Sequence, residues 1–402
     1  MNENKFALLA LASIPLMMTL GNSMFIPVLP VIEREINISA FQSSLIITIY
    51  SIIAIILIPI AGYLSDHFGR KKIIIPSLIL VGIGGIVCGW ASISADNPYP
   101  WILFGRFIQG AGAAGAFPVV IPTVGDLFKN EEEVSAGLGL IETSNTFGKV
   151  LSPILGAALA IWVWYIPFWS VPLFSAIAVI LMLLFVKAPT EESEPQPFNA
   201  FVKTIKQSFK KNGHWLYGVF MIGGINMFVV FGFLIYLSSS LEIKYEIAGV
   251  LKGVYLAIPL LALCVASYLT GKMIGKDKRI MDRLIFIGNL VSTIALFLLL
   301  FTNSLLMIIL FLSVSGLGIG ISLPCLDALI TEGSEKEERG TITSFYSSMR
   351  FIGVAAGPPA ISLLLKASEK LVFITLSSVS VLAIAITIFA LIRKTATVGE
   401  HI

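Results

Sequence analysis

The chain has 402 residues, 56% of them hydrophobic and only 13% charged, with a formal net charge of +3 at pH 7. So apolar a composition excludes a soluble globular protein of this size, and so slight a charge excludes nucleic acid as a partner; the surplus belongs in loops that face anionic lipid. Cys88, Cys264 and Cys325 lie inside apolar runs and His67, His214 and His401 are scattered, which excludes a disulfide framework and a metal centre.

Lys5 and the apolar run 6–30 begin like a secretory signal, but the run is too long and lacks a small-residue cleavage pattern, so it is read as a first membrane span. A bilayer core takes about 20 apolar residues per helix. Twelve runs meet that length, at 6–32, 41–64, 73–94, 101–127, 135–160, 165–187, 214–240, 247–271, 282–302, 304–331, 341–365 and 371–392. Trp90, Trp101, Trp162, Trp164, Trp169 and Trp215 all fall near the ends of these runs, where an amphipathic ring prefers the headgroup boundary. The expected fold is all-α and integral to the membrane, with twelve transmembrane helices.

Span 1 carries Asn22 and reaches no acid before Glu33. Spans 2 and 3 are joined by Gly62-Tyr-Leu-Ser-Asp66-His-Phe-Gly69-Arg70-Lys71-Lys72. Its basic residues place it on the cytoplasmic side, Gly62 and Gly69 allow bending or close approach, and Asp66 can pair with Arg70. The stretch closely resembles the loop signature of the major facilitator superfamily of secondary transporters, with His67 where a basic residue, usually Arg, is common.

In span 4, Arg106-Phe-Ile-Gln109-Gly110 is similar to a second signature of that family. An arginine in hydrocarbon is costly and must face a cavity or a partner, and Gln109, one turn on, can hold the guanidinium. The resemblance implies a part for Arg106 in proton coupling; a purely structural buried pair is the alternative. Asp126, at the end of span 4, is expected to join Asp66 and Arg70 in a cytoplasmic cluster that stabilises the outward-open state and breaks during gating.

Span 5 contains Gly139, Gly148 and Ser152-Pro153-Ile-Leu-Gly156-Ala157. This resembles the signature of the antiporter branch, drug exporters above all, with Ser152 and Ala157 as small substitutions for glycine. Gly148, Pro153 and Gly156 describe a bendable helix that can slide on a neighbour, and so count among the gating positions. The same span places Glu142, Asn145 and Lys149 along one face. Glu142 is the expected proton carrier, its proton affinity set by burial against a cation, Lys149 or Arg106; permanent neutralisation of Glu142 by Lys149 is the bland alternative.

Residues 188–213 form the one long connection. Its first part, Pro189-Thr-Glu-Glu-Ser-Glu-Pro195-Gln-Pro197, is linker-like, and 198–211 reads as an amphipathic helix lying on the inner leaflet. The chain is thereby divided into an N-terminal bundle, 1–188, a linker, 189–213, and a C-terminal bundle, 214–402. The halves repeat: Gly110, Gly112 and Pro118 recur as Gly316, Gly318 and Pro324, Asp126 as Glu332, and Ser152-Pro153 as Gly357-Pro358. Gly271-Lys-Met-Ile-Gly275-Lys276-Asp277-Lys278-Arg279 is a degraded echo of the first loop. Two pseudo-symmetric six-helix bundles of the major facilitator type are expected. Asp327, about one turn from the cytoplasmic end of span 10, is a second embedded acid, with Arg350 in span 11 as its partner. Asn22, Tyr50, Gln109, Asn145, Asn226, Phe228, Tyr236 and Arg350 are candidates to line a substrate cavity, and Arg106, Glu142, Lys149 and Asp327 to couple protons.

With the N-terminus inside, nineteen Lys and Arg fall in cytoplasmic segments, against five outside: Arg34, Lys244, Lys252, Lys366 and Lys370. Both termini are therefore expected to be cytoplasmic. These features, with the resemblance, imply a monomeric carrier in a bacterial plasma membrane that exports small amphipathic, in part cationic, compounds in exchange for protons. The proton gradient drives it and no cofactor is needed; no nucleotide-binding glycine loop is present. The rivals are a proton-coupled importer on the same fold, which the span 5 signature disfavours, and a membrane sensor or scaffold, which gains little from buried charge. An enzyme is not expected, because no catalytic His, Ser or Cys grouping occurs.

Overall fold

The computed structural model describes residues 2–128, 131–187, 198–274, 278–333 and 339–392, and among them the chain is helical with no strand. The chain divides into two compact units. Unit 1 comprises Met1–Phe201 together with Ile247–Val254, and unit 2 comprises Val202–Glu246 and Tyr255–Ile402. Eleven helices among the described residues are long and apolar enough to cross a membrane. The expected fifth span is helical too, but Glu142, Thr143, Asn145 and Lys149 keep it less apolar than the rest.

In unit 1 the first span is broken. Helix α1 (Asn2–Ser23) stops, a 3-10 turn (Ile26–Val28) follows, and α2 (Leu29–Glu35) resumes. Pro27 and Pro30 start the turn and α2, positions where a missing N–H costs nothing. The break matters because the last carbonyls of α1 have no partner within the helix. Helix α3 (Ala40–Phe68) opens with a capping box between Ser39 and Gln42 and ends at Gly69, whose φ of 96° suits glycine. Helix α4 (Arg70–Ser94) starts immediately after it. Helices α5 (Pro98–Leu127), α6 (Glu131–Trp162) and α7 (Ile166–Phe185) complete the bundle. Lys71 donates from Nζ to the carbonyls of Val186 (2.5 Å) and Leu183 (3.4 Å), closing the C-terminus of α7 with the charge a helix end favours.

The packing of α6 on the broken span turns on Gly156. A Cβ there would fall on the carbonyl oxygen of Met24, a backbone atom that has no room to move. Gly156→Ala is expected to destabilise unit 1 by about 1–3 kcal/mol, the usual result of overpacking, read as a lower midpoint of thermal unfolding in detergent. An unchanged midpoint contradicts this contact.

Helix α8 (Phe198–Ile243), a continuous helix of 46 residues, passes into unit 2 at Val202. This corrects the expectation of a separate surface helix followed by span 7: Lys210-Lys-Asn-Gly213-His214 contains no proline, and one glycine does not end a helix. At 1.5 Å per residue α8 is about 69 Å long, over twice a bilayer core, so its first part extends past the membrane. The side chains of 198–212, the linker 188–197, residues 275–277 of the echoed loop and the side chain of Glu332 lie outside the described residues. Helices α9 (Gly249–Met273), whose residues up to Val254 belong to unit 1, α10 (Lys278–Leu298), α11 (Leu305–Gly333), α12 (Arg339–Ala367) and α13 (Glu369–Ile386) follow, with a π-helical turn (Thr387–Ile392) at the end. In the core of unit 2, Leu216 and Val219 of α8 meet Met281 and Ile285 of α10, Cys325 and Leu326 of α11, and Ile342 of α12.

Candidate functional site

Arg106, on α5, is fully buried in unit 1, and each nitrogen of its guanidinium has an acceptor. Nε donates to the carbonyl of Ile46 on α3 at 2.8 Å, and Nη1 to the carbonyl of Gly21 at 3.1 Å and to Oε1 of Gln109 at 2.6 Å. Nη2 donates to Oδ1 of Asn22 at 2.5 Å. Gly21 can accept because α1 ends two residues later and its carbonyl is one of the orphans there. The rings of Phe25 and Tyr50 lie 4.9 and 4.7 Å from the guanidinium carbon, adding two cation–π contacts. The expected link between Arg106 and Gln109 is present; all four acceptors are neutral, and among the described residues no carboxylate hydrogen-bonds the guanidinium. The reason lies in Asn22, which fills on span 1 the place an acid would need.

Gln109 is itself buried, and its Oε1 is committed to Arg106, so the amide orientation is set by that bond. Its Nε2 is left without an acceptor. A buried donor in that state costs about 1–3 kcal/mol.

Glu142 is half-buried on α6. Asn145 donates from Nδ2 to its two oxygens at 3.3 and 3.4 Å, and Thr19 of α1 donates from Oγ1 to Oδ1 of Asn145 at 2.6 Å. Glu142 is thus tied to the helix that also holds Gly21 and Asn22, at one remove from Arg106. Lys149 is buried and engaged two turns along, and a Cβ at Gly148 would press on Thr19 at 3.1 Å. Pro153 lies in α6 between these residues and Gly156.

Asp66, Arg70 and Asp126 come together as expected. Arg70 pairs with Asp66, donates from Nη1 to Oγ of Ser65 at 2.8 Å, and from Nε to Asp126 at 3.1 Å. Ser65 is held in turn by the carbonyl of Gly62 at 2.7 Å. In unit 2, Arg350 reaches Asp327 at 3.5 Å and lies over the ring of Tyr346 at 5.6 Å. Asn226 donates to Oγ of Ser322 at 3.1 Å, and Asn289 reaches the same hydroxyl at 3.5 Å. Tyr236 is fully buried, edge-on to Phe373.

Two charged residues were not legible as interior. Lys252, expected in an outer loop, is 1% exposed on α9 and donates from Nζ to the carbonyl of Pro27 at 2.8 Å, at the break in span 1. A lysine four residues into an apolar helix was the available signal. Removing it leaves the Lys/Arg asymmetry at nineteen to four. Asp282, on α10, is the only fully buried carboxylate among the described residues; set among Lys278, Arg279 and Arg283, it reads as loop charge.

Long apolar helices that enclose an arginine, two lysines and a half-buried glutamate make this a multi-pass membrane protein of the carrier class. The chain belongs to the Major Facilitator Superfamily, whose family model matches residues 11–358 and 277–401. It is 52% identical over 388 residues to the "Bacillibactin exporter" of Bacillus subtilis, covering 96% of each chain. It is 24% identical to the "Tetracycline resistance protein, class C" of Escherichia coli, covering 87% of each. The crystal structure of the human organic anion transporter MFSD10 (TETRAN) superposes with a TM-score of 0.75 at 19% identity, over 96% of this chain and 99% of that one. The chain is therefore a transporter of the major facilitator fold, and transporters of this family carry small molecules.

Proposed function

We propose that this protein exports small amphipathic compounds, bacillibactin or a close chemical relative first among them, in exchange for protons. The observation that carries the reading is the 52% identity to the bacillibactin exporter across nearly the whole of both chains. Glu142 is the proton carrier: it is the half-buried acid that accepts from Asn145, which Thr19 in turn ties to α1. Arg106 and Lys149 are the buried cations of the same unit, and Asp327 with Arg350 forms a second charge pair in unit 2. The carrier sits as a monomer in a bacterial plasma membrane with both termini cytoplasmic, works by alternating access, and needs only the proton gradient.

Everted vesicles with bacillibactin outside and a pH-sensitive dye inside test direction and coupling together. Bacillibactin uptake into the vesicles with coupled proton release is expected. Glu142→Gln is expected to abolish the proton signal and to lower gradient-driven uptake about tenfold or more, the scale on which positioned proton-transfer groups act. Proton-linked exchange that persists in Glu142→Gln rejects the carrier assignment, and bacillibactin movement in the opposite direction rejects export.

A further inference from the structure

We infer that the compound this transporter carries presents an anionic group, and that Gln109 and Arg106 form its seat. This deepens the export reading and rests on it for the word substrate. Arg106 keeps a full positive charge at complete burial, yet every acceptor around it is neutral: the carbonyls of Gly21 and Ile46, Oδ1 of Asn22 and Oε1 of Gln109. An uncompensated charge of this kind is costly in a low-dielectric setting and gains most when an opposite charge arrives. Beside it, Nε2 of Gln109 is a buried donor with no acceptor. A fixed cation and an idle N–H side by side are complementary to a carboxylate, phenolate or similar oxyanion, whose oxygen accepts from Nε2 while the guanidinium supplies the field.

The wider charge pattern agrees. Arg106, Lys149 and Lys252 are the buried charged residues of unit 1 among those described, and all three are cations, the two lysines engaged in contacts of their own. The acids nearest to that depth, Glu33 and Glu142, are half-buried and accept hydrogen bonds from Ser43 and Asn145. Selection of amphipathic cations, expected from the sequence, runs against this excess. An anionic group arriving beside Arg106 meets a cation answered only by neutral acceptors, whereas a cationic one is repelled by it.

The probes are three fluorescent naphthalenes of nearly equal shape: 1-naphthoate, neutral 1-naphthamide and cationic 1-naphthylmethylammonium. Equilibrium binding is measured on the full-length protein in detergent, with no gradient, so the outcome does not depend on export taking place. Naphthoate is expected to bind about tenfold or more tightly than naphthamide, the margin of a charge-assisted over a neutral hydrogen bond, with naphthylmethylammonium weakest. Gln109→Glu, which replaces the idle donor by a carboxylate, is expected to erase that preference. Asn22→Asp, which puts a carboxylate on Nη2 without touching Gln109, is expected to do the same and serves should Gln109→Glu fail to fold. Equal binding of naphthoate and naphthamide, no saturable naphthoate binding, or a preference intact in the folded variants each overturns the assignment. Naphthoate selectivity in a protein that moves no bacillibactin refutes the export reading alone.

Discussion

Arg106→Leu is expected to lower transport by at least about a hundredfold, a loss of about 2.7 kcal/mol in the rate-limiting step, and to reduce the yield of folded protein. The fold effect follows from the acceptors left behind. The carbonyls of Gly21 and Ile46, Oδ1 of Asn22 and Oε1 of Gln109 all lose their donor in a buried place, and each buried orphan costs about 1–3 kcal/mol. Leucine also forfeits both aromatic faces, Phe25 and Tyr50. Arg106→Lys separates the two effects. It keeps the charge, but an ammonium is a compact point charge that cannot span acceptors on α1, α3 and α5 as a planar fork does. The lysine variant is therefore expected to recover folded yield, measured by size-exclusion profile and thermal midpoint, more completely than export, measured in everted vesicles. Export near the parental rate in Arg106→Leu would show that the guanidinium is dispensable to transport.

The contrast between what was legible in the sequence and what was not follows sequence distance. The span lengths, the turn at Gly69 and the meeting of Arg106 with Gln109 are local, set by apolar run length, a glycine and a one-turn spacing. The Asp66–Arg70–Asp126 cluster is partly local: Asp66 and Arg70 flank one tight turn, and Asp126 is delivered by the helix that packs on both α3 and α4. Lys252 is another matter, because its acceptor is 225 residues away and exists only where span 1 breaks. Nothing along the chain near Lys252 announces that carbonyl. The neutral shell of Arg106 was half visible. The absence of an acid in span 1 before Glu33 was plain, but its consequence, a buried cation answered only by dipoles, needed the Gly21 and Ile46 carbonyls in place. The continuity of α8 was missed for a physical reason: a charged stretch followed by glycine resembles a boundary, yet helix propagation through one glycine costs only about 1 kcal/mol.

Asp66→Asn is expected to cut export about tenfold or more while leaving the protein folded and inserted. Both carboxylates of the cluster are substantially exposed, Asp66 at 54% and Asp126 at 43%, so the bundle does not depend on them for its core. A single exposed pair is worth only about 0.2–1 kcal/mol. Arg70, however, is 19% exposed and binds Asp66, Ser65 and Asp126 at once, which lifts the set toward about 1–2 kcal/mol. If the cluster closes in one pose of the transport cycle and opens in the other, that energy is a factor of about 5–30 in their ratio. Asparagine keeps the shape of Asp66 and removes its charge, so the loss falls on the ratio of poses and not on packing. The double-mutant cycle with Asp126→Asn makes the argument specific. The two acids share one guanidinium, so their effects on export are expected to be coupled, with the double variant losing clearly less than the sum of the two single losses in free energy. Simple additivity would mean that Asp66 and Asp126 act separately and that Arg70 is not the joint between them, while parental export in Asp66→Asn would remove the gate altogether.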